Sequence, residues 1–383
     1  MTTTPYVAVR RNFTWIEKLS QINWFFVLLI TIIASIGFAM QYSMAGGHFY
    51  PWAAPQMARF AIGLVILAAV ALVDIRVWMA AAYPAYLISF LLLIAVEIVG
   101  HVGLGAQRWI ELGPIQIQPS ELMKIALVLA LARYLHGLAL EEVSKPQKLA
   151  VALVMIAAPA VLVLKEPNLG TAAILFADGF SLLFLAGLSW WWILPSAAGL
   201  VAAVPVAWHF LHDYQKRRVM TFLNPQSDAL GAGWNITQAK IAIGSGGLTG
   251  KGFIQGTQSR LNFLPEKNTD FAISALGEEF GFVGCVIMLF LFAVVIGFGI
   301  RTAMSSRNQF GRLVAIGITL NFFFYIMINA AMVMGLIPVV GIPMPLISYG
   351  GTAMLTVMFG FGLLMSVHVH RLVELPRSSG GII

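Results

Sequence analysis

Long apolar stretches recur along almost the whole chain, and this feature limits its fold more than any other. About ten of them approach or reach the roughly 20 residues that a helix needs to cross a bilayer. Charged residues make up only 10% of the sequence, compared with about 25% in soluble domains. Backbone polar groups find no partner in lipid, so such stretches must form helices. The sequence therefore predicts an all-α polytopic membrane protein.

The predicted spans are separated by short segments except between the seventh and the eighth, where residues 212–270 form a large loop. The second and fourth spans are short and are expected to extend into their flanks. The spans are Trp24–Tyr42, Phe60–Val73, Met79–Val99, Leu122–Leu135, Leu149–Leu164, Thr171–Leu188, Trp191–Leu211, Phe271–Ile300, Leu313–Leu336 and Leu346–Val367. The chain then has an N-terminal tail 1–23, one membrane domain 24–368 that includes the loop, and a C-terminal tail 369–383.

Lysine and arginine residues predict the orientation of the chain. With an even number of spans, the basic residues that flank them fall on one side of the membrane, which the positive-inside rule assigns to the cytoplasm. They are Arg10, Arg11, Lys18, Arg76, Lys145, Lys148, Arg301, Arg307, Arg312, Arg371 and Arg377. We therefore predict that both termini are cytoplasmic and that the large loop between spans seven and eight is extracytoplasmic.

The large loop contains the longest polar, glycine-rich run of the chain, Gly231–Asp270. Polar backbone persists in a membrane protein where it meets water or a polar ligand. The charged side chains of the run suit a ligand that carries phosphate and hydroxyl groups; they are Lys240, Lys251, Arg260, Glu266, Lys267 and Asp270. Attraction of the cations to anionic lipid head groups explains the charge equally well.

Two local structures are predicted within this run. Residues Trp234–Ile243 place their apolar side chains near one side of a helix, which predicts a short helix lying in the interface with Trp234 as its anchor. The following GSGGLTGKGF is too rich in glycine to hold a helix. Its amides could approach a phosphate closely, although glycine content alone favours a flexible, solvated loop.

Asp270 is the strongest candidate for chemistry, because it directly precedes the apolar span that begins at Phe271. A carboxylate at the lip of a low-dielectric cavity has a raised pKa, which a general base near neutral pH requires. The position equally suits a helix N-cap, and position alone favours the cap. Glu278 follows two turns later and is predicted to share a cavity with Asp270.

Two further outer loops contain candidate functional features. Arg108 can bind phosphate through two hydrogen bonds, and Trp109 can stack on a sugar or anchor the chain at the interface, which is the commoner role. Proline and glycine in Ile337–Ser348, which leads into Tyr349, prevent a continuous helix. Irregular backbone near membrane depth is tolerated where it lines a cavity. We expect the three loops to form the walls of one outward-facing cavity.

Charged residues inside the spans are costly and need a partner or a function. Glu121 and Lys124 are three residues apart, so they are predicted to pair on one helix face as a structural element. Glu97 and Asp178 have no partner nearby in the sequence. Each of them could line a polar cavity, bond to a neighbouring helix or relay protons, and we favour cavity lining.

Several motifs occur in an order that resembles the SEDS (shape, elongation, division and sporulation) family, from about residue 20 to 372. They are Ala106–Trp109, Gln118–Glu121 with Lys124, Glu166–Thr171, Gly231–Phe253, Pro265–Phe271 and Pro345–Gly351. Within the family, the run MGLIPVVGIPMPLISYGG is more similar to the elongation branch, the RodA-like proteins, than to the division branch.

The resemblance implies a peptidoglycan glycosyltransferase that polymerises lipid II into β-1,4 glycan strands during cell elongation. It implies a multi-pass protein of the bacterial cytoplasmic (inner) membrane with an extracytoplasmic active site. The implied partners are lipid II, the nascent glycan strand, a class B penicillin-binding protein transpeptidase and membrane proteins of the elongation complex, with no nucleic acid. No cofactor is assigned; a divalent cation, Mg²⁺ or Mn²⁺, remains open, and no metal ligands are identified.

The resemblance also assigns roles to residues. Asp270 matches an essential aspartate and is expected to act as general base in an inverting reaction. Glu121 and Lys124 match a buried structural pair. Asn168 stands where the family more often has Asp, so the resemblance gives no support to an acid role there. The expected substrate-binding residues are Arg108, Trp109, Lys240, Lys251, Arg260, Glu266, Lys267, Ser348 and Tyr349.

Two other functions are compatible with the same topology. A flippase would move lipid II across the membrane without forming glycan and would be indifferent to substitution of Asp270. A non-catalytic scaffold would activate its penicillin-binding partner, and the purified chain would never polymerise lipid II. Both alternatives rank below the glycosyltransferase.

Overall fold

The computed structural model describes residues 15–103, 106–112, 115–166, 168–192, 194–195, 198–199, 202, 208–209, 213–224, 232–261, 263–264 and 266–376. Its helices are α1 Trp15–Ser20, α2 Trp24–Met44, α3 Ala53–Leu72, α4 Ile75–Val99, α5 Pro119–His136, α6 Pro146–Lys165, α7 Leu169–Leu185, α8 Asp213–Leu223, α9 Ala232–Ser245, α10 Thr257–Arg260, α11 Ala272–Ser305, α12 Gln309–Val333 and α13 Gly351–Val369. In the described part, seven helices are long and apolar enough to cross a membrane, and α7 is a shorter apolar helix.

The predicted spans one to six and eight to ten each coincide with one of these helices. The second and fourth extend into their flanks, as expected. Most of the predicted seventh span, Trp191–Leu211, lies outside the described residues. The predicted start of span ten at Leu346 is wrong. Leu346 has a φ of 65°, and the helix begins only at Gly351, because the proline-rich segment before it cannot continue a helix.

The helices pack closely because small residues replace large ones at the contacts, as is usual between membrane helices. Helix α5 is almost entirely buried and packs against α4, α7 and α12, which places it at the centre. Helix α13 lies along α3, where a Cβ at Gly362 would be 2.7 Å from the Cβ of Val70 and one at Gly63 would be 2.7 Å from the Cγ of Met358. Any larger residue at these glycines would push the two helices apart.

Buried charges join the central helices. Lys124 Nζ lies 2.7 Å from Glu121 Oε1, as predicted, and the hydroxyl of Tyr325 on α12 hydrogen-bonds to both side chains. Removal of one partner from such a buried pair costs about 3 to 5 kcal/mol, because the other charge is left uncompensated. The pair therefore fixes α5 against α12.

Two further polar residues have structural partners. Asp178 is fully buried and accepts a hydrogen bond of 2.5 Å from Asn321 on α12, so it bonds to a neighbouring helix and does not line a cavity as we favoured. Asn168 caps α7 by accepting a hydrogen bond from the amide of Thr171 at 3.3 Å. Glu97 is exposed near the end of α4.

The first outer loop forms a small antiparallel sheet, which the all-α prediction did not include. Strands β1 His101–Gly103, β2 Ala106–Leu112 and β3 Ile115–Ile117 pair in the order β1-β2-β3. Successive side chains of a strand point to opposite faces. Arg108 and Trp109 on β2 therefore point in opposite directions, towards different parts of the site described below.

The glycine-rich segment of the large loop packs against a break in α11. Gly281 interrupts this helix with φ 64° and ψ −159°, a conformation available essentially to glycine alone. The amides of Lys251 and Gly252 donate to the carbonyls of Glu278 and Glu279, each at 3.0 Å. The segment therefore satisfies the backbone of the break and is held in place by it, so it is not a flexible loop, although most of its residues are exposed. The amides of Lys251 and Gly252 are used in these bonds and are not open to phosphate. The preceding helix α9 confirms the helix predicted over Trp234–Ile243, while its position in the membrane interface stays a prediction.

We predict that Gly281→Ala destabilises the protein by at least about 2 kcal/mol, because the backbone is strained for any other residue. The added Cβ would also lie 2.4 Å from the amide nitrogen of Gly250. Gly297→Ala is the matched control on the same helix, since its Cβ would have no neighbour within 4 Å. Thermal unfolding in detergent tests this, and equal melting temperatures for the two variants would contradict the proposed role of the break.

Candidate active site

Asp270 ends the large loop and lies just before α11 without capping it. The N-cap of α11 is Phe271, and no side chain forms a cap hydrogen bond there. The carboxylate of Asp270 accepts no hydrogen bond from the described residues, although its backbone carbonyl accepts one from Asn329 at 2.8 Å. The cap that position alone favoured is therefore absent. The carboxylate remains available for chemistry.

The third outer loop and two arginines surround this carboxylate. A Cβ at Gly341 would lie 3.6 Å from Asp270 Oδ2, so the loop covers the carboxylate closely. Arg218 of α8 holds the same loop through a hydrogen bond of 3.1 Å to the carbonyl of Val339. The pKa of Asp270 is raised to about 6: burial is the largest cause and the negative charge of Glu266 adds to it, while the positive charges of Arg218 and Arg108 partly offset both. A carboxylate with this pKa is ionised at neutral pH yet basic enough to accept a proton.

Arg108 connects Asp270 to a second carboxyl group. Its Nε donates to the backbone carbonyl of Glu166 at 3.0 Å. The Glu166 side chain is buried, and its oxygen atoms accept no hydrogen bond from the described residues. The pKa of Glu166 is raised to about 8, mainly by burial, with Arg108 lowering it and Glu97 raising it by smaller amounts. Glu166 begins the motif Glu166–Thr171, but sequence alone does not show that its carboxyl group is buried.

Side-chain amides hold the acidic segment against the third loop. Asn329, fully buried on α12, donates both to the carbonyl of Asp270 and, at 2.6 Å, to that of Ile342. Gln41 on α2 donates to the carbonyls of Asn268 at 3.0 Å and Ile347 at 3.1 Å. These bonds supply partners to backbone carbonyls that have none within a helix. They also fix the position of Asp270 relative to the loop that covers it.

A cavity of about 1110 Å³ opens beside this segment, between α3, α4, α5 and α13. Most of its wall is apolar and is formed by residues such as Ile62, Ile66, Leu122, Leu129 and Phe359. One end is polar, with Arg59, Trp109, Glu111, Gln116, Thr269 and Tyr349. A cavity with an apolar body and a polar end suits a lipid with a charged head group.

Arg59 is the cation at the polar end, and the sequence analysis missed it. Its guanidinium carbon lies 4.6 Å from the centre of the Tyr349 ring, and one of its nitrogens is buried without a hydrogen-bond partner in the described part. An unpaired buried N–H group is available to a ligand oxygen. Arg59 precedes an apolar span, and its position gave no sign that it faces a cavity.

The structure places the predicted substrate-binding residues in different surroundings. Trp109 and Tyr349 line the cavity. Lys267 is buried, with its Nζ 5.6 Å from the centre of the Trp52 ring, and burial lowers its pKa. Ser348 accepts a hydrogen bond from the amide of Met344 at 2.9 Å and stabilises a turn. Arg108 and Glu266 act on Asp270 electrostatically, as described above.

The other predicted cations do not line the cavity. Lys240 lies against Gly335 and is exposed, and Arg260 is exposed with a hydrogen bond to the carbonyl of Ile254 at 3.4 Å. Lys251 pairs with Glu278 at 2.7 Å. Glu278 also accepts hydrogen bonds from the amides at the start of α10, so the prediction that it shares a cavity with Asp270 is wrong.

Among the described residues, no cluster of protein ligands marks a divalent-cation site. No group of three or more His, Cys, Asp or Glu side chains within the described residues could hold a metal ion. At the site, Glu266 lies near enough to Asp270 to raise its pKa, and Mg²⁺ is usually bound by one or two carboxylates together with substrate phosphates.

The fold and the site define a polytopic helical membrane protein with a partly buried carboxylate beside a lipid-sized cavity, and the chain belongs to the FtsW/RodA/SpoVE family. The family model, described as cell cycle protein, matches residues 18–372. The peptidoglycan glycosyltransferase MrdB of Escherichia coli K12 is 44% identical over 348 residues, which cover 90% of this chain and 93% of that protein. The stage V sporulation protein E of Bacillus subtilis is 32% identical over 89% of this chain and 95% of its own.

Two solved structures share the architecture. A peptidoglycan synthase complex that coordinates polymerization and crosslinking contains a chain with a TM-score of 0.80 and 30% identity, covering 92% of this chain and 99% of that one. The rod shape determining protein RodA of Thermus thermophilus has a TM-score of 0.70 and 27% identity, covering 92% and 98%. Together the comparisons confirm the predicted family, the helical multi-pass membrane fold and the glycosyltransferase class.

We predict that Asn329→Ala lowers the turnover of glycosyl transfer roughly 10- to 100-fold, because Asp270 loses the bond that positions it. Asn321→Ala is the matched control: it removes a buried amide from the same helix, but that amide bonds to Asp178. Both variants should melt at lower temperature, and only Asn329→Ala should lose turnover at a temperature where both are folded. Equal turnover losses would show that Asn329 acts only through stability.

Proposed function

We propose that this chain polymerises lipid II into β-1,4 glycan at the outer face of the bacterial cytoplasmic membrane during cell elongation. Its relatives named peptidoglycan glycosyltransferase support the substrate class. The observation that carries the proposal is the Asp270 carboxylate, which has a pKa raised to about 6 and lies beneath a loop at the edge of a lipid-sized cavity. Thr269, its neighbour in the chain, lines that cavity.

Asp270 acts as the general base in this mechanism. It accepts the proton of the acceptor sugar 4-hydroxyl, whose oxygen forms a bond to the anomeric carbon of the donor sugar. The bond from that carbon to the pyrophosphate oxygen breaks on the opposite side, so polyprenyl pyrophosphate leaves with inversion. One base and stabilisation of the leaving charge suffice, and no covalent enzyme intermediate forms.

Arginine residues stabilise the leaving pyrophosphate. Arg59 at the polar end of the cavity has an unpaired buried nitrogen, and Arg108 and Arg218 are close enough to Asp270 to alter its pKa. Guanidinium groups bind phosphate oxygens through paired hydrogen bonds. The apolar wall between α3, α4, α5 and α13 accommodates the polyprenyl chain.

The proposal also covers the orientation of the chain in the membrane and its partner proteins. Both tails, 1–23 and 369–383, are cytoplasmic by the positive-inside rule, so the Asp270 end of the bundle faces outward. A class B penicillin-binding protein is the proposed partner, by analogy with the synthase complex that couples polymerization to crosslinking. Other membrane proteins of the elongation complex would assemble around the pair.

We predict that Asp270→Asn lowers lipid II polymerisation by about 10² to 10⁴-fold, the usual contribution of a general base. Purified wild type and variant are compared in liposomes, with and without the penicillin-binding partner, after both are shown to melt alike. Glu141→Gln, an exposed carboxylate on the opposite end, is the control. Near-normal glycan from Asp270→Asn would overturn the assignment. Transport of lipid II in sealed vesicles without glycan would instead favour the flippase.

We predict that kcat/KM has an acidic limb near pH 6, since only the ionised form of Asp270 accepts a proton. Activity should fall about tenfold per pH unit below that value. Glu266→Gln removes a negative charge that raises the pKa of Asp270, so the limb moves to lower pH; Arg218→Gln moves it to higher pH. Shifts in the same direction for both variants, or none, would exclude Asp270 as the titrating base.

A further inference from the structure

A second cavity, of about 560 Å³, lies at the end of the bundle opposite Asp270. It forms where α5 and α7 end, α12 begins and the chain leaves α13. Its lining residues are His136, Leu140, Leu185, Ala186, Arg307, Asn308, Gln309, Arg312, Leu313, Glu374 and Leu375. None of them takes part in the mechanism proposed above.

The lining favours an anion. Arg307 and Arg312 are exposed, and neither forms an ion pair within the described residues. The cavity also contains the N-terminus of α12, whose first turn Asn308 caps through the amide of Gly311 at 2.6 Å. The helix dipole places partial positive charge at that terminus. Glu374 is the single acidic residue among the lining residues.

The surroundings place this cavity at the level of lipid head groups. Leu140 and Leu185 on its rim are 70% and 49% exposed, and Trp190 and Trp191, which follow α7, are 64% and 86% exposed. The Phe184 and Trp190 rings lie 5.6 Å apart. Tryptophan concentrates where lipid head groups meet acyl chains. An anion with attached hydrocarbon therefore fits the cavity better than a fully soluble one.

We propose that this cavity binds the phosphate of an anionic phospholipid, with Arg307 and Arg312 as its ligands and the acyl chains along Leu140 and Leu185. Paired guanidinium hydrogen bonds suit a phosphate diester, and basic pockets between membrane helices bind anionic head groups. Glu374 opposes the phosphate and limits the affinity. The site is independent of the glycosyltransferase proposal, because it shares no residue with the outer cavity.

Native mass spectrometry of the delipidated full-length chain tests the site. Phosphatidylglycerol or phosphatidylcholine is titrated onto wild type and variants. Wild type should bind one phosphatidylglycerol in preference to phosphatidylcholine, and Arg307→Gln/Arg312→Gln should weaken that binding about thirtyfold, equivalent to about 1 kcal/mol per arginine. Glu374→Gln should strengthen it, which gives a readout that loss of folding cannot produce.

The matched control is Arg76→Gln/Arg301→Gln, which removes two exposed arginines outside the cavity. It should bind phosphatidylglycerol as wild type does. If both double variants bind phosphatidylglycerol equally more weakly than wild type, the lipid is attracted by the positive charge of the whole surface. That result would overturn the proposal. Displacement of the lipid by millimolar inorganic phosphate would also overturn it, because the ligand would then be a soluble phosphate.

Discussion

Irregular backbone at membrane depth must find hydrogen-bond partners within the protein, and the active site depends on how this chain meets that requirement. The proline-rich loop before α13 pairs few of its own carbonyls, among them that of Met344, which accepts from the amides of Ile347 and Ser348. Buried amides from three helices, on Gln41, Gln56 and Asn329, donate to carbonyls in this loop, and two of them also reach the Asp270 segment. The same bonds that make the loop tolerable in a membrane therefore hold the carboxylate in place.

The electrostatics of the site follow from that placement. The loop at Gly341 lies close to the Asp270 carboxylate, and burial is the largest cause of its raised pKa. The positive charges of Arg108 and Arg218 lower the pKa of Asp270 and so partly offset the effect of burial. The result is a base whose strength is set by a balance between burial and two cations. Each of them also anchors backbone through a carbonyl, on Glu166 and Val339.

Sequence patterns predicted most of the helices because apolar length is a local property. The Glu121–Lys124 pair was predictable for the same reason, since its spacing lies within one turn. Arg59 and the Asp178–Asn321 bond were not, because they depend on which helices become neighbours. Lys251 illustrates the converse error: its charge suggested a phosphate ligand, but Glu278, distant in sequence, pairs with it. Its position before an apolar span singled out Asp270 and the motif resemblance favoured a base over a cap, but only the structure shows that it caps no helix.

The break at Gly281 has a mechanical consequence. Backbone hydrogen bonds tie the glycine-rich segment to both sides of the break, with Phe282 donating to Gly247 at 2.9 Å and Gly252 to Glu279 at 3.0 Å. The first turns of α11, which follow Asp270 directly, are thus coupled to the large loop, while the remainder of the helix carries exposed apolar residues such as Phe290. A partner protein that tilts the membrane part of α11 would therefore also move the segment that carries Asp270, the proposed general base.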